Sequence, residues 1–181
     1  MKILLTSTGF DNENIKNKFI ELLPQNPENT KVLFIITAAQ DPDSVRILSA
    51  CLDDLTKCNI KDENITIYDM HKTISQQELN KYHAIYVCGG NTDYLEQRIE
   101  EINIQQNIKK YIENGGIYVG VSAGSIVAAK TYPNGLNLIR NQLDVHSKNH
   151  SENGQIKQNQ AIYLSDDQAL LITETEQIIF E

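Results

Sequence analysis

Apolar residues fall along this chain in two alternating rhythms. Short unbroken apolar runs read as strands buried on both faces. Between them, apolar residues recur every three or four positions, as on one side of a helix. Residues 3–6 are a first predicted strand. A helix follows, with Asp11 near its start and Ile15, Phe19, Leu22 and Leu23 on one face; Pro24 and Pro27 end it. Residues 32–37 are a second strand. Asp41-Pro42 then opens a helix, the Asp as cap and the Pro at the first helical position, with Val45, Leu48, Leu52 and Leu55 as its buried stripe. Residues 64–68 are a third strand, and Ser75-Gln76-Gln77-Glu78 has the form of a capping box. Residues 84–88 are a fourth strand, running into Gly89-Gly90-Asn91-Thr92. One helix carries Leu95, Ile99 and Ile102. The next carries Ile104, Ile108, Tyr111 and Ile112 and stops at Gly115-Gly116. Residues 117–121 are a fifth strand, and Ser122 begins a helix that ends near Lys130.

From Tyr132 the rhythm changes. Pro133-Asn134-Gly135 is a turn, and residues 136–139 and 143–145 have strand character. Residues 161–164, 169–173 and 177–180 read as a closing meander of short strands. The polar stretch 148–160 reads as a mobile surface loop. The alternation of strand and helix predicts an α/β fold: a mainly parallel sheet with helices on both faces and antiparallel strands added at the C-terminal side. No repeat or linker divides the chain, so residues 1–181 are expected to form a single domain.

Composition narrows the function classes. The net charge is −8 and no basic stripe occurs, which argues against nucleic acid as a partner. Cys51, Cys58 and Cys88 are odd in number and loosely spaced, so neither a disulfide framework nor a zinc site is expected. The first apolar run is too short for a signal peptide, and no run is long enough to span a membrane. These features predict a cytoplasmic protein, and none of them calls for a cofactor.

Ligands of open α/β sheets bind beyond the carboxyl ends of the strands. Two glycine turns stand at such ends: Gly89-Gly90-Asn91 after the fourth strand and Gly120-Val121-Ser122-Ala123-Gly124 around the end of the fifth. The second has the G-x-S-x-G spacing of a nucleophile elbow. A strand that turns at once into a helix strains its junction residue, and side chains two positions to either side would collide, so glycine fits at 120 and 124. The serine hydroxyl then stands exposed at a helix N-terminus, where free amides favour an oxyanion. Ala123 supplies one such amide, and the Gly89-Gly90 turn is the natural source of the second. A serine nucleophile needs a base. Among His71, His83, His146 and His150, the choice is His146, just past a predicted strand, with His150 as the substitute. A turn that merely needs small residues is the structural alternative. The orienting acid is less legible: Asp144 is the only acidic residue between Ser122 and His146, while Asp166, Asp167 and Glu174 read as solvated turn residues.

Three segments are similar to the serine peptidase family of dipeptidase E (aspartyl dipeptidase) and cyanophycinase. They are Cys88-Gly89-Gly90-Asn91-Thr92, Gly120-Val121-Ser122-Ala123-Gly124-Ser125, and Leu136-Asn137-Leu138 leading to His146. The resemblance implies a flavodoxin-like sheet of the class I glutamine amidotransferase type. It also implies a metal-free Ser–His hydrolase of small peptides, monomeric or homodimeric. Ser122 would be nucleophile, His146 base, Gly89, Gly90 and Ala123 the oxyanion hole, and Asn91 a substrate contact. The chain departs from the family at two places. The family's acid between serine and histidine has no counterpart at the matching place. The family's basic residue after the histidine, which holds a substrate aspartate, is also unmatched: Arg140 precedes His146 and only Lys148 and Lys157 follow it. These departures keep a second reading open, a non-catalytic relative that binds a ligand in the same pocket. An esterase is a third.

Overall fold

The computed structural model describes residues 1–40 and 42–181, and of Asp43 only the backbone. In chain order the elements are β1 (Lys2–Thr6), α1 (Glu13–Leu22), β2 (Val32–Ile35), α2 (Pro42–Lys57), β3 (Ile65–Tyr68), α3 (Gln76–Leu79), β4 (Ala84–Val87), α4 (Thr92–Ile102), α5 (Gln105–Glu113), β5 (Ile117–Val121), α6 (Ala123–Ile126), β6 (Leu143–Asp144), β7 (Gly154–Gln155), β8 (Ile162–Tyr163), β9 (Ala169–Ile172) and β10 (Gln177–Phe180). The main sheet runs β3-β2-β4-β5-β1-β9-β10-β7. Its first five strands are parallel, and β9, β10 and β7 pair antiparallel with their neighbours.

Alternate residues of the central strands feed two cores. Ile3, Leu5, Leu33, Ile35, Ile85 and Val87 pack with Leu95 and Ile99 of α4 and Ile108 and Ile112 of α5. Leu4, Val32, Phe34 and Tyr86 pack on the other face with Ile15 and Phe19 of α1 and Leu55 of α2. Both faces of the parallel strands are therefore covered, which is why these strands read as unbroken apolar runs.

Several local expectations are corrected. The helix begins just after Asp11, capped by Asn12, whose side chain accepts from the Asn14 N–H. The cap expected at Asp41 lies outside the described residues. On α2, Leu48 and Leu55 of the predicted stripe pack inward, but Val45 and Leu52 face solvent at 58% and 37% exposure, while Cys51, and Cys58 just past the helix, are buried. The thiols are small enough to sit against the sheet, so apolarity alone found half of the stripe. The helix after Ser122 is a single turn, because Leu136 and Leu138 donate to the Val127 and Ala128 carbonyls and the chain folds back. Residues 136–139 are thus an irregular buried segment, not a strand. The stretch 148–160 carries β7, paired with β10, and Asn141 donates to the Lys157 and Gln160 carbonyls, so it is tied to the body of the protein. Residues 161–164 join no meander. They contain β8, which pairs in parallel with β6 in a separate two-stranded sheet.

Candidate active site

Strand register gathers the site. β4 and β5 are neighbours with Val87 opposite Gly120, so the Gly89-Gly90 turn and Ser122 emerge side by side. β1 flanks β5 on its other side with Thr6 opposite Val121, and β9 pairs with β1 at Ala169 opposite Thr6. The segment just before β9 therefore reaches the same edge.

Ser122 stands at φ 46° and ψ −107°, a conformation that costs a non-glycine residue roughly 1–3 kcal/mol. Its surroundings hold it there. The Ser122 N–H donates to the Thr6 carbonyl, and its own carbonyl accepts from the Ser125 and Ile126 amides. A Cβ at Gly120 would stand 2.6 Å from the Gly124 carbonyl oxygen, and one at Gly124 would collide with the Val87 carbonyl. Glycine at both positions is thus a steric requirement of the turn. Buried Ser125 is the peg beneath: its Oγ accepts from the Thr6 N–H at 2.9 Å and lies 2.8 Å and 2.7 Å from the Thr6 and Gly120 carbonyls. Sequence reasoning missed this role, whose only signal is the serine that follows G-x-S-x-G.

His146 reaches Ser122 from the two-stranded sheet. Its Nε2 lies 3.0 Å from Ser122 Oγ, and its Nδ1 lies 2.6 Å from Asp166 Oδ1. Both His146 and Asp166 are exposed on the protein surface. The parallel pairing of β6 with β8 sets Asp144 beside Tyr163, and the two chains run on together, with Leu164 donating to the Asp144 carbonyl and Ser147 to the Leu164 carbonyl. His146 and Asp166 lie just beyond. The turn bearing Asp166 is fixed from below by buried Gln168, which accepts from the Ser165 N–H and donates to Ser151 O and Asn153 Oδ1. Thr8 donates to the Asp166 carbonyl.

Asp166, read from sequence as a solvated turn residue, is therefore the carboxylate on His146. Asp144 is not: its Oδ1 accepts from the Val145 N–H. Among the other histidines, His150 is exposed and His71 pairs with Asp69. His83 sits before β4 at the opposite end of the sheet and accepts from the Lys31 N–H; burial lowers its pKa. A cavity of about 380 Å³ lined by His83, Tyr82 and Gly116 opens at that far end, away from Ser122.

The residues predicted to supply oxyanion amides lie around Ser122. Ala123 N–H is the first amide of α6 and has no intrahelical acceptor. Gly89 packs against the Ser122 side chain, and a Cβ there would lie 3.2 Å from Ser122 Cβ. Gly90, at φ 133° with its Cα against the Ala38 carbonyl, occupies a conformation and a space that only glycine fits. Asn91 caps α4, its Oδ1 accepting from the Tyr94 N–H, so its amide nitrogen is the part left for a ligand.

The profile of peptidase family S51 matches residues 3–179. The chain belongs to peptidase family S51. Among curated relatives of this S51 chain, an uncharacterized peptidase of Pasteurella multocida (strain Pm70) is 30% identical over 116 residues, 64% of this chain and 50% of that protein. Peptidase E of Nostoc sp. (strain PCC 7120) is 34% identical over 94 residues, 44% of this chain and 39% of that protein. The aligned stretches thus span half or less of the curated relatives. A crystal structure of a candidate peptidase E from Listeria monocytogenes EGD-e superposes with a TM-score of 0.77 at 22% identity, covering 99% of this chain and 98% of that one. A peptidase from an acI-B1 Actinobacterium superposes at 0.68 with 15% identity, over 99% and 86%. These likenesses establish the S51 fold, a mainly parallel α/β sheet closed by antiparallel strands. No described helix is long and apolar enough to cross a membrane.

Proposed function

We propose that this S51 chain is a serine peptidase that cleaves short peptides or isopeptides through Ser122, His146 and Asp166. The observation that carries the reading is the continuous line Ser122 Oγ, His146 Nε2, His146 Nδ1, Asp166 Oδ1, with separations of 3.0 Å and 2.6 Å. Ser122 Oγ attacks the scissile carbonyl carbon while His146 Nε2 takes its proton. Asp166 accepts from Nδ1–H, fixes the tautomer and stabilises the imidazolium. The oxygen of the tetrahedral intermediate accepts from the Ala123 amide and from an amide of the Gly89-Gly90 turn. The C–N bond breaks as His146 returns the proton to the leaving amine. A water molecule, deprotonated by the same nitrogen, then hydrolyses the acyl-serine ester.

The test is labelling with a fluorophosphonate probe alongside hydrolysis of a short-peptide mixture. Native protein labels and cleaves; Ser122→Ala and His146→Ala do neither. Failure of the native chain to label or cleave overturns the reading in favour of a non-catalytic ligand-binding relative.

A further inference from the structure

A cavity of about 350 Å³, within the size range of small-ligand sites, lies between α6, which follows Ser122, and the β6–β8 ladder, which leads to His146. Its position follows from chain connectivity. Ile126, on one wall, is a single helical turn beyond Ser122 and donates its N–H to the Ser122 carbonyl. Asp144, on another, precedes His146 by two residues on β6. Leu143, Ala161, Ile162, Tyr132 and Tyr163 make most of the lining apolar or aromatic, and Thr131 and Gln142 add uncharged polar groups.

The charge in this cavity has one sign. Among the described residues that line it, Asp144 alone is ionisable to a full charge at neutral pH, and none is Lys or Arg. The Asp144 carboxylate is held by the Val145 N–H on Oδ1, and its other oxygen has no protein partner among the described residues. The Tyr132 hydroxyl is spent on Asp93, 2.8 Å away, so this ring offers the cavity its face and not a donor. A carboxylate entering here would meet Asp144 with no compensating cation. An ammonium group would meet a carboxylate and aromatic faces, both of which attract it. The net charge of −8 favours the approach of a cation as well.

Resting on the reading of Ser122 and His146 as the reacting pair, we propose that this cavity is a substrate subsite for an ammonium group. That group is carried by the N-terminal residue or by a lysine side chain of a short peptide, and the subsite rejects acidic residues. Asp144 is its specificity-determining residue.

Binding to Ser122→Ala, measured by calorimetry, reads the subsite without turnover. The peptides begin with Lys, Leu or Asp, each with a free and an acetylated amino terminus. Peptides bearing an ammonium bind up to about fivefold tighter than uncharged ones, the scale of one partly exposed ion pair, and Asp peptides bind weakest. If the terminal amine is the group held, acetylation removes the preference from Leu peptides. If the lysine side chain is, acetylated Lys peptides keep it. Adding Asp144→Asn erases the preference, and Asp144→Lys turns it toward Asp peptides, with melting curves verifying that both variants fold. Equal or tighter binding of acidic peptides, or a preference unchanged by Asp144→Asn, overturns the proposal. Charge preference in Ser122→Ala combined with no hydrolysis by the native chain would refute the catalytic reading and leave the subsite standing. Hydrolysis without charge preference would do the reverse.

Discussion

Asp166 Oδ1 lies 2.6 Å from His146 Nδ1, although twenty residues separate the two and two strands, β7 and β8, intervene. The contact depends on the register of a two-stranded parallel ladder and on a turn held by Gln168. In the proposed mechanism Asp166 is the acid that orients His146.

If Asp166 orients His146, Asp166→Asn lowers kcat/KM by about 10²–10⁴ with KM little changed, the scale for loss of a triad acid. Asp167→Asn, next along the same exposed turn, serves as the control and stays near native activity. The rate of fluorophosphonate labelling should fall in parallel with kcat/KM. Equal activity of Asp166→Asn and Asp167→Asn would remove Asp166 from the mechanism.

The backbone strain at Ser122 predicts an ordering of two inactive variants. Ser122→Gly relieves the φ of 46°, whereas Ser122→Ala keeps the penalty. Thermal unfolding should show the glycine variant more stable by about 1 kcal/mol, which for a chain of this size is about 2–4 °C in Tm. An alanine variant as stable as the glycine variant would mean that the turn relaxes when the hydroxyl is removed.

Ser125→Ala strips the peg under the turn and leaves the buried Thr6 N–H without its acceptor. A cost of about 1–3 kcal/mol is expected in denaturant unfolding, together with reduced labelling of Ser122. Gly124→Ala is harsher, since its new methyl meets the Val87 backbone. It should cost about 3 kcal/mol or more. Ser125→Ala with native stability and native labelling would show that the Thr6–Ser125–Gly120 bonds do not hold the turn.

Asp54 supplies a pH dependence away from the site. Burial pushes its carboxyl from 3.8 up to about 6, against the opposing hydrogen bonds from Tyr86 Oη and the Phe10 N–H. The folded chain therefore holds this proton more tightly than the unfolded chain. The stabilisation is fully present below about pH 3.8 and is lost as pH rises through about 6. Comparing native protein with Asp54→Asn cancels the titration of the other carboxylates. The stability of the native chain relative to the variant should fall by roughly 2–3 kcal/mol between pH 4 and pH 7. A difference that does not change with pH would mean that Asp54 titrates normally in the fold.

Local chemistry along the chain suffices to read the strand–helix order of the first 121 residues, the covered faces of the central strands, and two glycine turns at adjacent sheet ends. A glycine at 120 or 124 is legible because the crowding that demands it comes from neighbours in the turn or the next strand. His146 was reachable for the same reason, as a histidine at the end of a short strand. Only tertiary structure chose Asp166 over Asp144, because a carboxylate on an exposed turn looks alike in sequence whether or not a distant strand register carries it to an imidazole. Tertiary structure also exposed Val45 and Leu52 while burying Cys51 and Cys58, and tied the polar stretch 148–160 to β10. Apolarity fixes that a helix has a buried side. Which side it is depends on the volume that the sheet beneath leaves free, and that volume is set by residues far away in the chain.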